Sequence, residues 1–198
     1  MKSKVFGSDF LLLITAMIWG FAFVAQRVGM DFVGPYTFNA VRFALGSLSL
    51  IPLVLFFKNR KSKSESKNQD LPLSGIILRG GLTGIVLFAG ASLQQVGLVY
   101  TTAGKAGFIT GLYVVIVPII WMLLGKKSGL NTWIGALIAA IGLYFLSVTE
   151  EFTIQFGDLL EIIGAFFWAM HVILVGTFSR KINPIVLSMI QFAFCSLF

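Results

Sequence analysis

Charge is scarce in this 198-residue chain. Asp, Glu, Lys and Arg together make up 12% of it, about half of the roughly 25% found in soluble domains. Hydrophobic residues reach 57%, with 20 phenylalanines and a mean hydropathy of +0.92. Too little polar sequence remains to coat a globule, which excludes a soluble monomer. Disorder is excluded as well, since a chain this apolar does not stay solvated. Cysteine is nearly missing: Cys195 alone can close no internal disulfide, so the redox compartment stays open. Histidine is just as rare, and His171 by itself rules out a multi-ligand His/Cys metal site. Neither a metal nor another cofactor is expected. Basic stripes interleaved with exposed aromatics are missing too, so the net charge of +7 does not point to nucleic acid.

What the chain has instead is seven long apolar runs: Phe10–Val28, Pro35–Phe57, Leu73–Val96, Ala103–Gly125, Asn131–Thr149, Gly157–Ser179 and Asn183–Phe198. A hydrocarbon core of about 30 Å takes roughly 20 residues of helix. Strands would need the alternating pattern of a barrel, which is not there. The runs therefore read as an all-α polytopic membrane bundle. The seventh run, about 16 residues with no polar flank, is shorter than a comfortable span, and the chain reads as cut off inside that helix. Lys2 and Lys4 ahead of the first run mimic a signal peptide, but Phe21, Phe23 and Val24 crowd the region where cleavage needs small residues. The first run is kept as a mature helix.

Basic residues set the orientation. With the amino terminus in the cytoplasm, the inner segments hold Lys2, Lys4, Lys58, Arg60, Lys61, Lys63, Lys67, Lys126, Lys127, Arg180 and Lys181. That is eleven of the 15 Lys and Arg residues. The outer connections carry Asp31, Glu150, Glu151 and Asp158. Lys58–Asp70 is the one long polar stretch, a cytoplasmic loop that sets topology and can touch anionic headgroups.

An offset of 149 residues aligns Asp158–Phe198 with Asp9–Ser49 without a gap. Asp9 meets Asp158, Trp19 meets Trp168 and Pro35 meets Pro184. Phe43-Ala44 and Ser47-Leu48 meet Phe192-Ala193 and Ser196-Leu197. Five helices separate the two starts, so the copies enter the membrane from opposite sides. Residues 1–149 then form a first five-helix repeat and 150–198 the start of a second, inverted one. Inverted repeats mark secondary transporters, whose halves rock around a midplane site.

Several further residues fall in order along the first copy: Trp19-Gly20 with Phe21-Ala22-Phe23, Arg42-Phe43, Tyr100-Thr101-Thr102-Ala103, Pro118, and Gly135 with Gly142. With the repeat, this set resembles the drug/metabolite transporter superfamily, specifically the EamA-type permeases, over the whole chain. The resemblance implies a transporter, often an exporter, of small metabolites, amino acids or drugs. One departure stands out: family members often carry a glutamate just after the fourth helix, where this chain has Lys126-Lys127.

Arg42 lies about seven residues, or about 10 Å, into the second helix. A charge there must face the bundle or water. It either lines a cavity and attracts anionic or carboxylate-bearing solutes, or snorkels to a carbonyl. Arg27, Lys105 and Arg79 sit near helix ends and can reach headgroups along their stems. Gln26, Asn39, Gln94 and Gln95 are amides in apolar runs, suited to interhelical hydrogen bonds or to substrate contact. Trp19 and Trp168 sit mid-helix, away from the interfacial belts. As repeat equivalents they either face one another across a central cavity or pack in a core. Tyr113 and Trp121 on the fourth helix and His171 on the sixth complete the cavity candidates. His171 and Glu161 suggest a proton relay. Ten residues put them about 15 Å apart along the helix and about 80° around it, which disfavours a direct pair.

Helix packing is assigned to small residues at one-turn spacing: Ala103, Gly107 and Gly111, Gly80 with Gly84, and Gly135 with Ala139. Pro118 is expected to bend the fourth helix.

The function expected is a secondary transporter of the cytoplasmic membrane working by alternating access. Its partners are a small-molecule substrate and the bilayer, with room for a coupling proton or ion; no residue pattern sets an oligomeric state. The alternative, a membrane-embedded lipid-modifying enzyme, needs convergent nucleophile, base or metal ligands. The chain carries no G-x-S-x-G and no paired acidic motif. A chain ending in its seventh helix is further expected to be inactive by itself, since a rocking site needs both copies.

The basic bias makes the topology testable. Of single cysteines placed at Ser64 and Thr153, only the second should react with an impermeant thiol reagent on intact cells. The reverse pattern would overturn the orientation.

Overall fold

The computed structural model describes the backbone of residues 2–60, 71–126, 128–147 and 155–198. Among the described residues the chain is helical without strands: α1 (Lys2–Gly29), α2 (Pro35–Arg60), α3 (Leu73–Tyr100), α4 (Ala103–Gly111), α5 (Tyr113–Leu123), α6 (Leu130–Ser147), α7 (Phe156–Phe178) and α8 (Pro184–Leu197). Each apolar run becomes helix to within a few residues of its expected ends, because helix is how such a segment satisfies its own backbone in hydrocarbon. Five stretches are long and apolar enough to cross a membrane, with shorter apolar helices at Leu130–Gly142 and Pro184–Leu197. This is an all-α polytopic membrane protein. Residues 61–70 of the polar loop and the Glu150-Glu151 pair lie outside the described residues.

The expected bend in the fourth helix is a break, and it falls before Pro118 rather than at it. Leu112 leaves the helix and its N–H bonds Ile109 O at 3.1 Å, the tighter three-residue spacing. Proline's ring clashes with the carbonyl four residues back, at Val114.

α3 is the keel. At 28 residues it is about 42 Å long, and half of its apolar window is buried, against 6% for α1 and for α2. It packs along α7 and α8, while α2 lies on α8, and α4 and α5 lie on α7 and α6. Helices in lipid gain little from hiding apolar surface from water, so close backbone approach has to hold them. Glycine supplies it. Gly90 and Gly97 on α3 meet Gly164 and Gly157 on α7, each pair seven residues apart. A Cβ on Gly157 would sit 2.7 Å from Gly97 O and 2.9 Å from Tyr100. On the α8 side, a Cβ on Gly84 would lie 2.9 Å from Gln191 O, and one on Gly80 would collide with Ile190.

The other expected packing positions are looser. Gly107 only touches Phe23 at 3.9 Å, and Gly135 has no described atom within 4 Å. Ala103 and Gly111 are half-buried along the fourth helix.

Phe43, Leu87, Ala91 and Cys195 form the buried apolar centre where α2, α3 and α8 meet, with Phe88, Trp168 and Phe192 against it. Two contacts join residues at the 149-residue offset. Trp19 and Trp168 meet edge-to-face at 6.1 Å, and Phe43 and Phe192 tilt together at 5.6 Å.

Gly157→Ala should therefore destabilise by about 1–3 kcal/mol, the usual cost of overpacking. Gly135→Ala should be neutral or stabilising by up to about 1 kcal/mol from helix propensity. Thermal unfolding in detergent compares them; equal melting points would refute the assignment of the α3–α7 seam.

Candidate functional site

Five helices, α1, α2, α3, α7 and α8, surround a pocket of about 430 Å³. Its walls are aromatic: Trp19 and Phe23 from α1, Phe43 from α2, Trp168 from α7 and Phe192 from α8. Its polar groups are neutral with one exception. Gln26, Gln94, His171 and Gln191 face the space, and Arg42 brings the single charge.

Arg42 is built in rather than snorkelling. Its two terminal nitrogens donate to Gln26 Oε1 and to Asn39 Oδ1, the latter at 2.8 Å. The guanidinium also stacks on Phe43 at 4.7 Å and on Phe38 at 5.6 Å. Asn39, almost fully buried, donates onward to Ala91 O at 3.1 Å and so ties α2 to α3. Gln26 donates to Ala22 O, and Gln95 reaches Gln26 O at 3.4 Å. Among the described residues no carboxylate pairs with Arg42. Two donors on the lining side chains, Arg42 Nε and Trp168 Nε1, are buried without a partner among the described residues. His171 shares a 2.9 Å hydrogen bond with Gln191 and meets the Trp168 ring edge-on.

Of the candidates read from sequence, Trp19, Gln26, Arg42, Gln94, Trp168 and His171 converge here. Asn39 stands behind Arg42 as its support. Tyr113 and Trp121 are not among the lining residues. Both lie on α5, and Trp121 instead receives the Lys126 ammonium 3.8 Å over its ring. A wider groove of about 520 Å³ beside Ile77, Leu82, Ile85 and Phe194 is almost wholly apolar and holds no charge to orient a solute.

A second polar cluster lies where α3 ends and α7 begins. Asp158 accepts from Thr101 Oγ1 at 2.6 Å and from the Gln155 N–H at 3.0 Å. Lys105, expected to reach headgroups, turns to Asp158 at 4.0 Å and is largely buried. Glu161, fully buried, accepts from Thr110 Oγ1 at 3.0 Å. It makes no pair with His171, whose partner is Gln191. Arg27 pairs with Asp31 at 3.2 Å. Arg79 packs over Phe178 at 5.7 Å.

Residues 7–148 match the model of the EamA-like transporter family. The chain belongs to that family. It is 35% identical over 185 residues to an uncharacterized transporter of Archaeoglobus fulgidus, a match covering 93% of this chain and 54% of that protein. It is 24% identical over 165 residues to the uncharacterized transporter YoaV of Bacillus subtilis, covering 80% of this chain and 53% of that one. The chain thus spans about half the length of these curated relatives. No solved structure matches it significantly.

Gln191 and the aromatic pair Phe43 and Phe192 belong to the pocket although none was a cavity candidate from sequence. The signal was present: Gln191 stands at the 149-residue offset from Arg42, and Phe192 from Phe43. The Gly97–Gly157 contact was missed for a similar reason. Its seven-residue spacing on both helices is two turns, wider than the one-turn motif sought.

Proposed function

We propose that the chain forms part of a secondary transporter of the cytoplasmic membrane. It would carry small metabolites, amino acids or drugs, with export as the direction suggested by the family resemblance. The pocket is the substrate site. The observation that carries this is Arg42, a cation lining an aromatic cavity with no carboxylate partner among the described residues. A solute with an acidic group and a flat apolar body complements it, since the acid meets the guanidinium and the body lies against the rings. Arg42 Nε and Trp168 Nε1 are donors awaiting an acceptor, and an unpaired buried donor costs about 1–3 kcal/mol.

Alternating access is supported by where the pocket lies. Trp19 and Trp168, equivalent at the repeat offset, touch on its wall. A seam between inverted copies is where a rocking site belongs. The basic residues support an amino terminus in the cytoplasm.

The whole protein, reconstituted in liposomes, should move carboxylate-bearing members of a labelled metabolite panel. Arg42→Ala should lower that flux at least about tenfold, since a charge-assisted hydrogen bond is worth about 1.5–3 kcal/mol. Its abundance in the membrane should stay normal. Unchanged flux would remove Arg42 from the site, and lost abundance would mark it as structural.

A further inference from the structure

We infer that Glu161, lodged between α7 and the end of α4 and apart from the substrate pocket, is a proton-binding site whose occupancy sets how α4 seats on α7. The side chain is 0% exposed. One oxygen, Oε2, accepts from Thr110 Oγ1; the other, Oε1, is buried with no hydrogen-bond partner among the described residues. Oε1 has room only because residue 97 is glycine, where a Cβ would approach it to 2.9 Å.

Among the described residues, the charged and titratable groups on the surrounding elements leave Glu161 without a counter-ion. Asp158 on its own helix is already satisfied by Thr101, the Gln155 N–H and Lys105. Lys105, the cation that α4 contributes, is spent on Asp158. Arg27 on α1 is held by Asp31. Tyr100 ends α3, Tyr113 opens α5, and neither is a described partner of Glu161. An ionised carboxylate with one hydrogen bond and no cation is among the most expensive groups to bury. A single proton, taken from water and returned to it, removes that charge and turns Oε1 into a hydroxyl.

The ligand is a proton rather than a metal ion. A hard cation wants six or more oxygens, whereas the described partners here amount to a carboxyl and one hydroxyl. The position also links binding to movement. Thr110 is the last residue but one of α4, immediately ahead of the break at Leu112. Gain or loss of charge on Glu161 acts on the hydrogen bond that pins this hinge. The site is separate from the pocket lining, so its test requires no transported solute and stands whether or not the transport reading does.

The whole protein in proteoliposomes is compared in acid and alkaline buffer by infrared difference spectroscopy. A carboxylic-acid carbonyl band should grow on acidification and disappear in Glu161→Gln. In Thr110→Val, which keeps the carboxyl but removes its donor, the midpoint should shift by about one pH unit. Backbone hydrogen exchange in α4 should depend on pH in the wild type and lose that dependence in Glu161→Gln. Three results would overturn the inference: a band that survives Glu161→Gln, a band that follows sodium instead of pH, or α4 exchange with the same pH dependence in both proteins. Should Glu161→Gln fail to fold, Thr110→Val decides, and an unmoved midpoint refutes the site.

Discussion

The backbone contact between Gly97 and Gly157 fixes the distance on which the rest of the bundle depends. Apolar helices in lipid have no strong reason to prefer one neighbour, because lipid tails match their side chains in polarity. Where two glycines remove the side chains, the backbones meet and only one register satisfies both. From that point along α7, Glu161 follows after about one turn and Trp168 after about three. The first therefore falls under α4, and the second falls against Trp19. With α3 and α7 locked, Gly80 and Gly84 admit α8 on another side of α3. The pocket is the space left between this three-helix core and the α1–α2 side of the bundle.

How that space tolerates a charge follows from magnitudes. An arginine at the centre of a membrane helix costs about 2.5–3.5 kcal/mol on insertion scales. Two hydrogen bonds from its guanidinium offset about 1.5–3 kcal/mol each, and stacking on an aromatic ring adds about 0.5–2. Gln26, Asn39 and Phe43 are thus enough to hold Arg42 charged without an acid. The support is itself anchored, since Asn39 spends its amide hydrogen on Ala91 O across the α2–α3 interface. An acid in this role would neutralise the cation and leave nothing for a solute to pair with. Neutral amides orient the guanidinium and keep its charge available.

The helices were legible because a spanning helix states itself directly in hydropathy. Arg42 was legible for the complementary reason, that a charge in such a run must be accommodated. What escaped the sequence depends on rotation and on partners. Tyr113 and Trp121 share the fourth helix with Thr110, yet the break at Leu112 lies between, and they end up away from the pocket lining. Glu161 looked like half of a relay with His171; its burial comes from Thr110 and Gly97, on two other helices. Lys105 sits where a snorkelling side chain would, but Asp158 lies within its reach once α7 is seated on α3. Hydropathy reports depth in the membrane and little about azimuth.

The 149-residue offset shows what azimuth adds. Trp19 and Trp168, and Phe43 and Phe192, keep their identity and touch one another. Arg42, by contrast, corresponds to Gln191. Neighbouring positions on the same two helices thus share an aromatic frame but not the charge. Two guanidinium groups about 10 Å apart at an effective dielectric of 20 would repel by about 1.7 kcal/mol, and each would need its own set of amides. Glutamine at 191 avoids that repulsion, binds His171 and leaves one cation facing one pocket. At this offset the pocket keeps its aromatic pairs, while Arg42 and Gln191 differ. Under the proposed function, a single acidic group on a solute would have one place to bind in such a site, which a pair of symmetric arginines would not provide.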